Sequence, residues 1–462
     1  MTQENKSSPT VINEALTITA MIDAHEDRDV MGSDVPNAFV QVKLPEAENG
    51  EKVCMKIVGE LVGYLVEISP ETYAKYVVYE KNKKVLYVVV LKAIYGMLQA
   101  SLLWYKELST KLEHIGFKFN AYDSCVCNRV VRGKQHTVQF HVDDILSSHV
   151  DPKVNDDFHL WLDKTFGKLK KVTVSRGKKH TFLGQEFDFS DKGKVKIKQP
   201  IHVEDMIALC PVQIKKDAVA TTPAGNNLLQ RGDSTPLNDK GREAFHTCVA
   251  KGIFIGKRSR PDIQPTISVL SGRVRQPTKQ DLEKLVQLCT YLQCTKDLHL
   301  ILSVNDMKII KWYIDASYAV HEDFRSHSGL VTKFGQGSAI SASLKQKINT
   351  RSSTEAELVG VDDFMGMILW TQHFLEAQGY GIFKHILFQD NNSAILLEKN
   401  GKASAGKRSR HLNVRYFFVK DIVDQGKLTI QHCPTLDMPA DFMTKPLQGS
   451  KFLEFRNLIH GM

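Results

Sequence analysis

Seven acidic residues stand where the sequence pattern places strand ends, helix starts or a hairpin tip. One set lies in the first third of the chain and the other in its last third: Asp34, Asp143 and Asp144, and Asp315, Glu357, Asp390 and Asp441. Carboxylates that converge at one edge of a sheet repel each other strongly unless divalent cations neutralise them. Two such cations about 3.5–4 Å apart can activate a hydroxyl group and stabilise a leaving oxygen in phosphoryl transfer. The acids therefore predict two metal-dependent sites.

The elements that must position the second set can be traced in the sequence. A short strand at 309–314 ends on Asp315, a later strand ends beside Asp390, and the last helix opens at Pro439 with Asp441 in its first turn. Each acid alone is more often a helix cap or a solvated strand end. The shared placement of the whole set is what favours one site over a series of unrelated caps.

The helix that contains Glu357 also contains Glu355, and helical geometry separates the two. Ser353 or Thr354 can cap this helix. The apolar residues that follow Glu357 at helical spacing are Val361, Phe364 and Ile368. They mark the buried face, so Glu357 lies at its rim and can point inward. Glu357 is therefore the expected metal ligand of the two.

The first set depends on a predicted hairpin. Residues 137–146 alternate in polarity up to the adjacent Asp143 and Asp144, which would lie at the hairpin tip. Asp34 can supply a third carboxylate from a neighbouring strand, which would suit a metal site. An adjacent pair of Asp residues alone is usually a solvated turn. The pairing with Asp34 is a tertiary contact, so it depends on the fold.

The composition limits the class of protein and the number of domains. The chain has 462 residues and a formal net charge of +9, and 42% of its residues are hydrophobic. These values predict a globular protein of about two to four domains, and the mild positive charge permits a polyanionic partner without requiring one. The eight cysteines are scattered, which predicts reduced thiols and an intracellular protein. No stretch of eighteen apolar residues occurs, so no membrane span is expected.

Two stretches concentrate basic residues without any acid, at 168–180 and 401–420, and each holds six Lys or Arg residues. Phosphate contacts by such stretches give an affinity that falls steeply with salt. For either stretch alone, a solvated basic surface is the commoner explanation. The expected substrate contacts in the second stretch are Lys407, Arg408, Arg410 and His411.

The last third of the chain resembles the ribonuclease H domain of copia-type (Ty1/copia) LTR retrotransposons. Five ordered motifs carry the resemblance: Trp312 to Ala316, Arg351 to Glu357, Gln389 to Ile395, Arg410 to Asn413, and Ala440 to Leu447. The resemblance implies a nuclease that cleaves the RNA strand of an RNA–DNA hybrid, with two Mg²⁺ ions held by the second set of acids and Mn²⁺ as an alternative. Many ribonucleases H have a His shortly before the last Asp, whereas this chain has Cys433 in that stretch and His432 just upstream.

The first third resembles the reverse transcriptase palm of the same family. Residues 92–105 match its signature, in which small residues and a glutamine line the nucleotide pocket, and residues 182–184 match its primer-contacting turn. The resemblance implies that Asp34, Asp143 and Asp144 hold two Mg²⁺ ions while a primer 3′-hydroxyl attacks a deoxynucleoside triphosphate. The substrate contacts that it implies are Tyr95, Gly96, Gln99 and His141.

Two departures from the family bear on polymerase activity. His141 stands where most reverse transcriptases have Tyr, as in a branch of copia-like elements, and we expect it to alter how the primer end is held. Family members also have a long fingers segment before the first palm acid, with basic residues that grip the triphosphate. Only 33 residues precede Asp34, so we expect the start of the polymerase to be missing.

These patterns predict a multidomain α+β protein. Its expected parts are a partial reverse transcriptase palm with an antiparallel sheet at 11–193, a thumb or connection at 194–306, and a ribonuclease H-like mixed α/β sheet at 307–462. Cleavage of hybrid RNA is expected to survive better than templated DNA synthesis. Expected partners are RNA template, DNA primer, RNA–DNA hybrid, deoxynucleoside triphosphates and other parts of the polyprotein, with no membrane and with dimerisation left open. The expected location is intracellular, in cytoplasmic virus-like particles or in the nucleus.

Two other hypotheses remain open at the level of sequence. The chain could be a catalytically silent nucleic-acid-binding remnant of a transposable element, although intact acids in both sets speak against long decay. It could also be a phosphotransferase that acts on small molecules. That third hypothesis is disfavoured because the sequence has no glycine-rich loop of the kind that cradles phosphates.

Overall fold

The computed structural model describes residues 8–45, 52–232, 235–381, 384–400 and 413–462, except for the side chains of 413–417. These residues form four β-sheets and the helices that pack on them. The sequence predicted this mixed architecture, including the antiparallel sheet of the first segment. In the described part of the chain, no helix has the length and apolar character needed to span a membrane.

The first segment contains a six-stranded antiparallel sheet and a separate three-stranded one. Its elements are, in chain order, α1 (Asn13–His25), β1 (Asp29–Asp34), β2 (Cys54–Val58), α2 (Glu60–Ile68), α3 (Pro70–Tyr73), β3 (Val78–Glu80), β4 (Lys83–Val89), α4 (Ala100–His114), β5 (Lys118–Asn120), β6 (Asp123–Val131), β7 (Lys134–His141), β8 (Asp144–His149), α5 (Pro152–Phe166) and β9 (Thr173–Ser175). The larger sheet has the order β5-β6-β7-β8-β1-β9, and the smaller one has the order β2-β4-β3. Because β1 lies between β8 and β9, the start of the chain is held beside the β7–β8 hairpin.

The centre of the six-stranded sheet is covered on both faces. Five consecutive residues of β7 are buried: His136, Thr137, Val138, Gln139 and Phe140. Since successive side chains of a strand point to opposite faces, both faces must be packed. Helix α1 is also buried on every side, with residues 15–24 all inaccessible. The N-terminal helix is therefore part of the core.

The middle segment joins four strands to a group of helices. Its elements are β10 (Lys179–Phe182), β11 (Gln185–Asp188), β12 (Lys194–Lys198), α6 (Pro200–Ala208), α7 (Asp239–Gly256), α8 (Gln264–Ser271), α9 (Lys279–Cys294) and β13 (Leu300–Ser303). The strands form an antiparallel sheet with the order β10-β11-β12-β13. This sheet crosses the expected boundary at residue 193, because β10 and β11 precede it and β12 and β13 follow it. A capping box between Thr278 and Asp281 fixes the start of α9.

The last segment contains a mixed five-stranded sheet. Its elements are β14 (Ile309–Ser317), β15 (His327–Lys333), β16 (Ile340–Lys345), α10 (Ser353–Ala377), β17 (Lys384–Gln389), α11 (Asn392–Asn400), α12 (Asn413–Asp424), β18 (Leu428–His432), α13 (Asp441–Thr444) and α14 (Gly449–His460). The order is β16-β15-β14-β17-β18, in which β14 to β16 are antiparallel and β17 and β18 run parallel to β14. Strand β14 is therefore central.

Three local expectations for this segment were wrong. Strand β14 does not end on Asp315 but continues to Ser317, because its pairing with β15 extends that far. The cap of α10 is Ser352 and not one of the next two residues, since its side chain accepts a hydrogen bond from the backbone nitrogen of Glu355 at 3.2 Å. Asp441 opens the four-residue helix α13, whereas the last helix is α14.

Two hydrophobic cores join the segments. One core runs from α1 and the six-stranded sheet through the β12–β13 pair to β14 and α10. The other joins helices α6 to α9 with α13 and α14. Both cores cross the expected domain boundaries, so the segments fold against each other.

The C-terminal end of α10 packs against the six-stranded sheet. The side-chain amide of Asn120 donates to the carbonyl oxygen of Phe374 at 3.0 Å. The hydroxyl of Tyr380, just after the helix, accepts from the buried Arg28 guanidinium at 3.0 Å and donates to Glu26 at 2.8 Å. One helix therefore connects the five-stranded sheet to the first segment.

Candidate active sites

Asp315 lies on the central strand of the five-stranded sheet, directly opposite Gly329 of β15. A Cβ at position 329 would come within 2.7 Å of the Met443 Cβ and 2.8 Å of the Ala440 carbonyl oxygen. The glycine therefore allows α13 to lie directly on the sheet. In this position the Thr444 hydroxyl donates a hydrogen bond to the Asp315 carboxylate, which is buried.

Glu357 lies near the start of α10, at the rim of its buried face. The predicted companions Val361, Phe364 and Ile368 are all buried. Glu355 is also buried, but its carboxylate accepts a hydrogen bond from the backbone nitrogen of Arg351 at 2.8 Å and so closes the start of the helix. The Oε2 atom of Glu357, by contrast, is buried and has no hydrogen-bond partner among the described residues.

Asp390 follows the last residue of β17. Because β17 runs parallel to β14, their carboxyl ends reach the same edge of the sheet. The side chain of Asn391 accepts hydrogen bonds from the backbone nitrogens of Ser393 and Ala394 at 3.0 and 3.1 Å, which turns the chain into α11. The Thr435 hydroxyl donates to Asp390 Oδ2 at 2.9 Å and orients that carboxylate.

These three acids converge. Asp315, Glu357 and Asp390 each offer an oxygen atom, and these atoms lie within 4.8 Å of one another. We refer to the three residues as the carboxylate cluster. It lines an open cavity of about 610 Å³ together with Asn391 and Lys445. Oxygen ligands, an unpartnered buried carboxylate oxygen and room for solvent fit Mg²⁺, which keeps several waters when it binds to carboxylates.

Asp441 stands beside the carboxylate cluster and is not one of the three residues that reach this spacing. Its Oδ1 atom accepts a hydrogen bond from the Lys445 ammonium at 2.7 Å. The expected set of four acids is thus present at one edge of the sheet, with the fourth acid held by a lysine.

Electrostatics in the cluster favour a bound cation. Burial, together with the charge of Asp441, raises the pKa of Asp315 to about 7, against the pull of Lys445. Burial and the charges of Asp315 and Asp390 hold the pKa of Glu357 well above its ordinary value. Both shifts mean that negative charge is costly here without a counter-ion, which a divalent cation would supply.

The first set of acids lies at the β7–β8 hairpin, as the sequence predicted. The turn consists of Val142 and Asp143, and Asp34 of β1 pairs directly with Asp144 of β8. The backbone nitrogen of Val35 donates to the carbonyl oxygen of Asp143 at 3.1 Å. The tertiary pairing with Asp34 therefore forms. We refer to Asp34, Asp143 and Asp144 as the palm acids.

The palm acids are more open than the carboxylate cluster. Asp34 and Asp144 are exposed and Asp143 is half-buried. Burial raises the pKa of Asp143, and the charge of Asp34 adds to this; for Asp144, burial and then the charge of Asp143 raise the pKa. Among the described residues, the palm acids do not reach the mutual spacing that the carboxylate cluster shows.

Three expected nucleotide contacts lie on the segment before α4. Tyr95 packs against Phe39 with ring centroids 4.6 Å apart, and its pKa is raised by burial and by the charges of Asp143 and Asp34, so it lies near the palm acids. Gly96 has a φ of 92°, which explains why glycine occupies this turn. Gln99 is the residue before the first turn of α4.

His141 is the last residue of β7 and pairs with Asp144. Its Nδ1 atom is buried, and no group in the described part of the chain forms a hydrogen bond with it. Its charge, when protonated, lowers the pKa of Asp143 and Asp144. The structure therefore places His141 beside the palm acids, where the resemblance implied a primer contact.

The remaining expected contacts, Lys407, Arg408, Arg410 and His411, lie outside the described residues. The first basic stretch is described, and four of its six basic residues form ion pairs: Lys171 with Asp163, Arg176 with Asp29, Lys178 with Asp27 and Lys179 with Asp188. A phosphate bound by these cations would therefore compete with their acidic neighbours.

Sequence reasoning missed the residues that surround the acids. Thr444, Thr435 and Lys445 contact the second set, and Trp104 contacts the β7–β8 turn. Lys445 lies four residues after Asp441, a helical spacing that could have indicated the pair. The threonine contacts cross long sequence distances and carry no local signal.

Residues 3–223 match the family described as "Reverse transcriptase (RNA-dependent DNA polymerase)". The Pol polyprotein of transposon RE1 from Arabidopsis thaliana is 29% identical over 371 residues, which cover 80% of this chain and 24% of that polyprotein. The polyprotein of transposon TNT 1-94 from Nicotiana tabacum is 27% identical, with 82% and 28% covered. The Ty1-GR2 Gag-Pol polyprotein of Saccharomyces cerevisiae is 23% identical, with 78% and 21% covered.

Two kinds of solved structure also match. A ribonuclease H1 isolated from compost is 15% identical with a TM-score of 0.23, and the match covers 29% of this chain and 92% of that one. The protease–reverse transcriptase of prototype foamy virus is 12% identical with a TM-score of 0.23, and the match covers 96% of this chain and 48% of that one. These scores are too low to support a conclusion about the fold.

The chain spans about a quarter of the length of the curated polyproteins that it matches. The matched relatives include plant and yeast elements of one type, and the reverse transcriptase family covers the palm acids. The chain is therefore a Pol sequence of a copia-type (Ty1/copia) retrotransposon, with its reverse transcriptase region at residues 3–223.

Proposed function

We propose that the last segment of this chain cleaves the RNA strand of RNA–DNA hybrids. The first segment has weak templated DNA synthesis or none. The proposed parts are a palm at 11–193, a connection at 194–306 and a ribonuclease H-like domain at 307–462. The observation that supports cleavage best is the carboxylate cluster, whose oxygen atoms converge within 4.8 Å beside an open cavity.

The residues of the last segment have distinct proposed roles. Asp315, Glu357 and Asp390 would hold divalent cations, with Asp441 as the fourth acid. Thr444 and Thr435 orient two of these carboxylates through hydrogen bonds, so their oxygen atoms are preorganised. When bound, two Mg²⁺ ions would activate water for attack on the phosphodiester and stabilise the leaving oxygen.

The first segment supports a weaker proposal. The palm acids stand on adjacent strands, which suits two-metal nucleotidyl transfer, but two of them are exposed and they do not converge as the carboxylate cluster does. Because the palm acids are more open and less convergent than the carboxylate cluster, we place DNA synthesis below hydrolysis.

The proposed partners follow from these activities. They are RNA template, DNA primer, RNA–DNA hybrid, deoxynucleoside triphosphates and other parts of the polyprotein, with Mg²⁺ or Mn²⁺ as cofactor. We propose that the chain acts inside the cell, in virus-like particles or in the nucleus. Dimerisation is not part of the proposal.

The test uses the purified chain with Mg²⁺ and an RNA–DNA hybrid labelled on the RNA strand. We expect cleavage of the RNA, with little or no extension of a DNA primer on an RNA template in a parallel assay. Asp390→Asn should abolish cleavage, whereas Asp437→Asn, which alters a nearby exposed acid, should not. Equal cleavage by wild type and Asp390→Asn would contradict the proposal. Salt-sensitive hybrid binding without turnover in Mg²⁺ or Mn²⁺ would instead support the silent remnant.

A further inference from the structure

Lys445 is a cation beside the acids of the last segment, and its sequence context had given it no role. It follows the last residue of α13, and its ammonium donates to Asp441 Oδ1 at 2.7 Å. It also lines the cavity of about 610 Å³ that contains the carboxylate cluster. The lysine therefore stands between the fourth acid and the other three.

The charge of Lys445 faces several of these acids at once. Among the groups that act on Asp315, Lys445 is the largest influence that lowers the pKa. In return, the charges of Asp315, Asp441 and Asp390 raise the pKa of Lys445. The hydroxyls of Thr444 and Thr435 contact the same carboxylates but bring no charge. Lys445 thus supplies the positive charge on the Asp315–Asp441 side of the site.

The ammonium can leave this position without unfolding α13. The backbone nitrogen of Lys445 donates to the Asp441 carbonyl oxygen at 3.0 Å, so the main chain is fixed. The side chain, however, is 41% exposed and ends at the open cavity. A lysine has a flexible four-carbon stem, so its head can move to water while its backbone stays in place.

We propose that Lys445 is the built-in counter-ion of the acids, and that it competes with divalent cations for the Asp315–Asp441 side of the site. This inference rests on the proposed function, because it requires the acids to bind divalent cations. Lys445 is a positioning residue: it keeps Asp441 apart from the carboxylate cluster until an incoming cation displaces the ammonium. The acids thereby have a counter-ion when no metal is bound, at the expense of affinity for the metal.

The test measures Mg²⁺ binding without nucleic acid, by titration calorimetry on the wild type and on Lys445→Met and Lys445→Arg. Lys445→Met removes the competing charge and keeps an unbranched chain, so we expect it to bind Mg²⁺ about fivefold more tightly, the scale set by one half-exposed charge pair. Lys445→Arg keeps the charge and should bind within about twofold of the wild type. Lys311→Met is the matched control, because it removes one exposed lysine from the same strand as Asp315 and should leave the affinity unchanged.

The Mg²⁺ dependence of thermal unfolding gives a second readout, which a purely structural role of Lys445 would not produce. In EDTA, Lys445→Met should melt below the wild type, because the acids then repel each other without a counter-ion. Saturating Mg²⁺ should close this gap. An equal Mg²⁺ affinity in wild type and Lys445→Met, or a weaker one in the variant, would overturn the inference and leave the proposed function intact. A wild-type chain that binds no Mg²⁺ would overturn both.

Discussion

The indole nitrogen of Trp104 donates a hydrogen bond to the carbonyl oxygen of Val142 across 2.6 Å. Trp104 lies in α4, within the motif at 92–105, and Val142 forms the turn that presents the palm acids. Val142 has a φ of 58°, a left-handed conformation that is unfavourable for a β-branched residue. The tryptophan therefore holds a strained turn in place and links the signature motif to the acids.

Replacing Trp104 by Phe should destabilise the protein by about 2 kcal/mol, because it leaves the Val142 carbonyl without its donor and a small cavity in the core. Urea unfolding followed by circular dichroism measures this change. Trp161→Phe is the control, since Trp161 is only partly buried and packs on Phe158 instead of the turn. Equal losses in the two variants would show that the bond to the turn contributes nothing.

The two glutamates at the start of α10 should separate in activity. Glu357→Gln removes a member of the carboxylate cluster, so hydrolysis of hybrid RNA should fall by about two orders of magnitude or more, the scale of losing one preorganised electrostatic group. Glu355→Gln weakens a hydrogen bond to the Arg351 backbone, so it should lower the melting temperature while hydrolysis stays within about threefold of the wild type. The measurement is the initial rate on a labelled hybrid; comparable rates in the two variants would place the metal ligand elsewhere.

Glu398 on α11 should make stability depend on pH. It is fully buried, neither of its carboxylate oxygens has a hydrogen-bond partner within the ranges that the structure describes, and burial raises its pKa to about 8 from an ordinary 4.5. A carboxyl group whose pKa is higher in the folded state stabilises the fold at low pH, and this contribution is lost as the pH rises from about 4.5 through about 8.

Glu398→Gln cannot ionise and should remove that dependence. We expect similar melting temperatures for wild type and variant at pH 5 and a more stable variant at pH 8.5. Differential scanning calorimetry across this range is the measurement. Parallel pH profiles for the two proteins would mean that Glu398 does not titrate in this range.

The contact between α10 and the first segment should depend on one hydroxyl group. Tyr380→Phe removes a partner of both Arg28 and Glu26, so the buried guanidinium loses one of its acceptors and unfolding should become easier by about 1–3 kcal/mol. Urea unfolding measures the loss, and limited proteolysis should show faster cleavage between the segments. Tyr64→Phe, at an exposed position, is the control and should leave both measurements unchanged.

Features with a local cause were predictable from the sequence. The β7–β8 hairpin and the inward direction of Glu357 agree with the prediction, since alternation and helical spacing determine which side of an element faces the core. These features place all seven acids on strands, turns or helix starts.

Features that depend on a partner element were not predictable. Strand β14 continues past Asp315 because β15 pairs with it there, and nothing in residues 315–317 reports the partner. Ser352 and its two successors are all residues that can cap a helix, so only the folded chain selects among them. The hydrogen bond from Lys445 to Asp441 depends on the short helix α13. The sequence pattern had predicted a single longer last helix in its place.

Helix α10 is a rigid connection between the carboxylate cluster and the first segment, which carries the palm acids. Its 25 residues span about 37 Å as one unbroken helix. Glu357 stands near one end, while Phe374 near the other end is fixed to the first segment. A flexible linker would let the two sets of acids vary their separation, whereas a helix does not. One residue inserted in its middle would turn Glu357 by about 100° relative to Phe374. The length of this helix therefore determines the direction in which Glu357 points relative to the first segment.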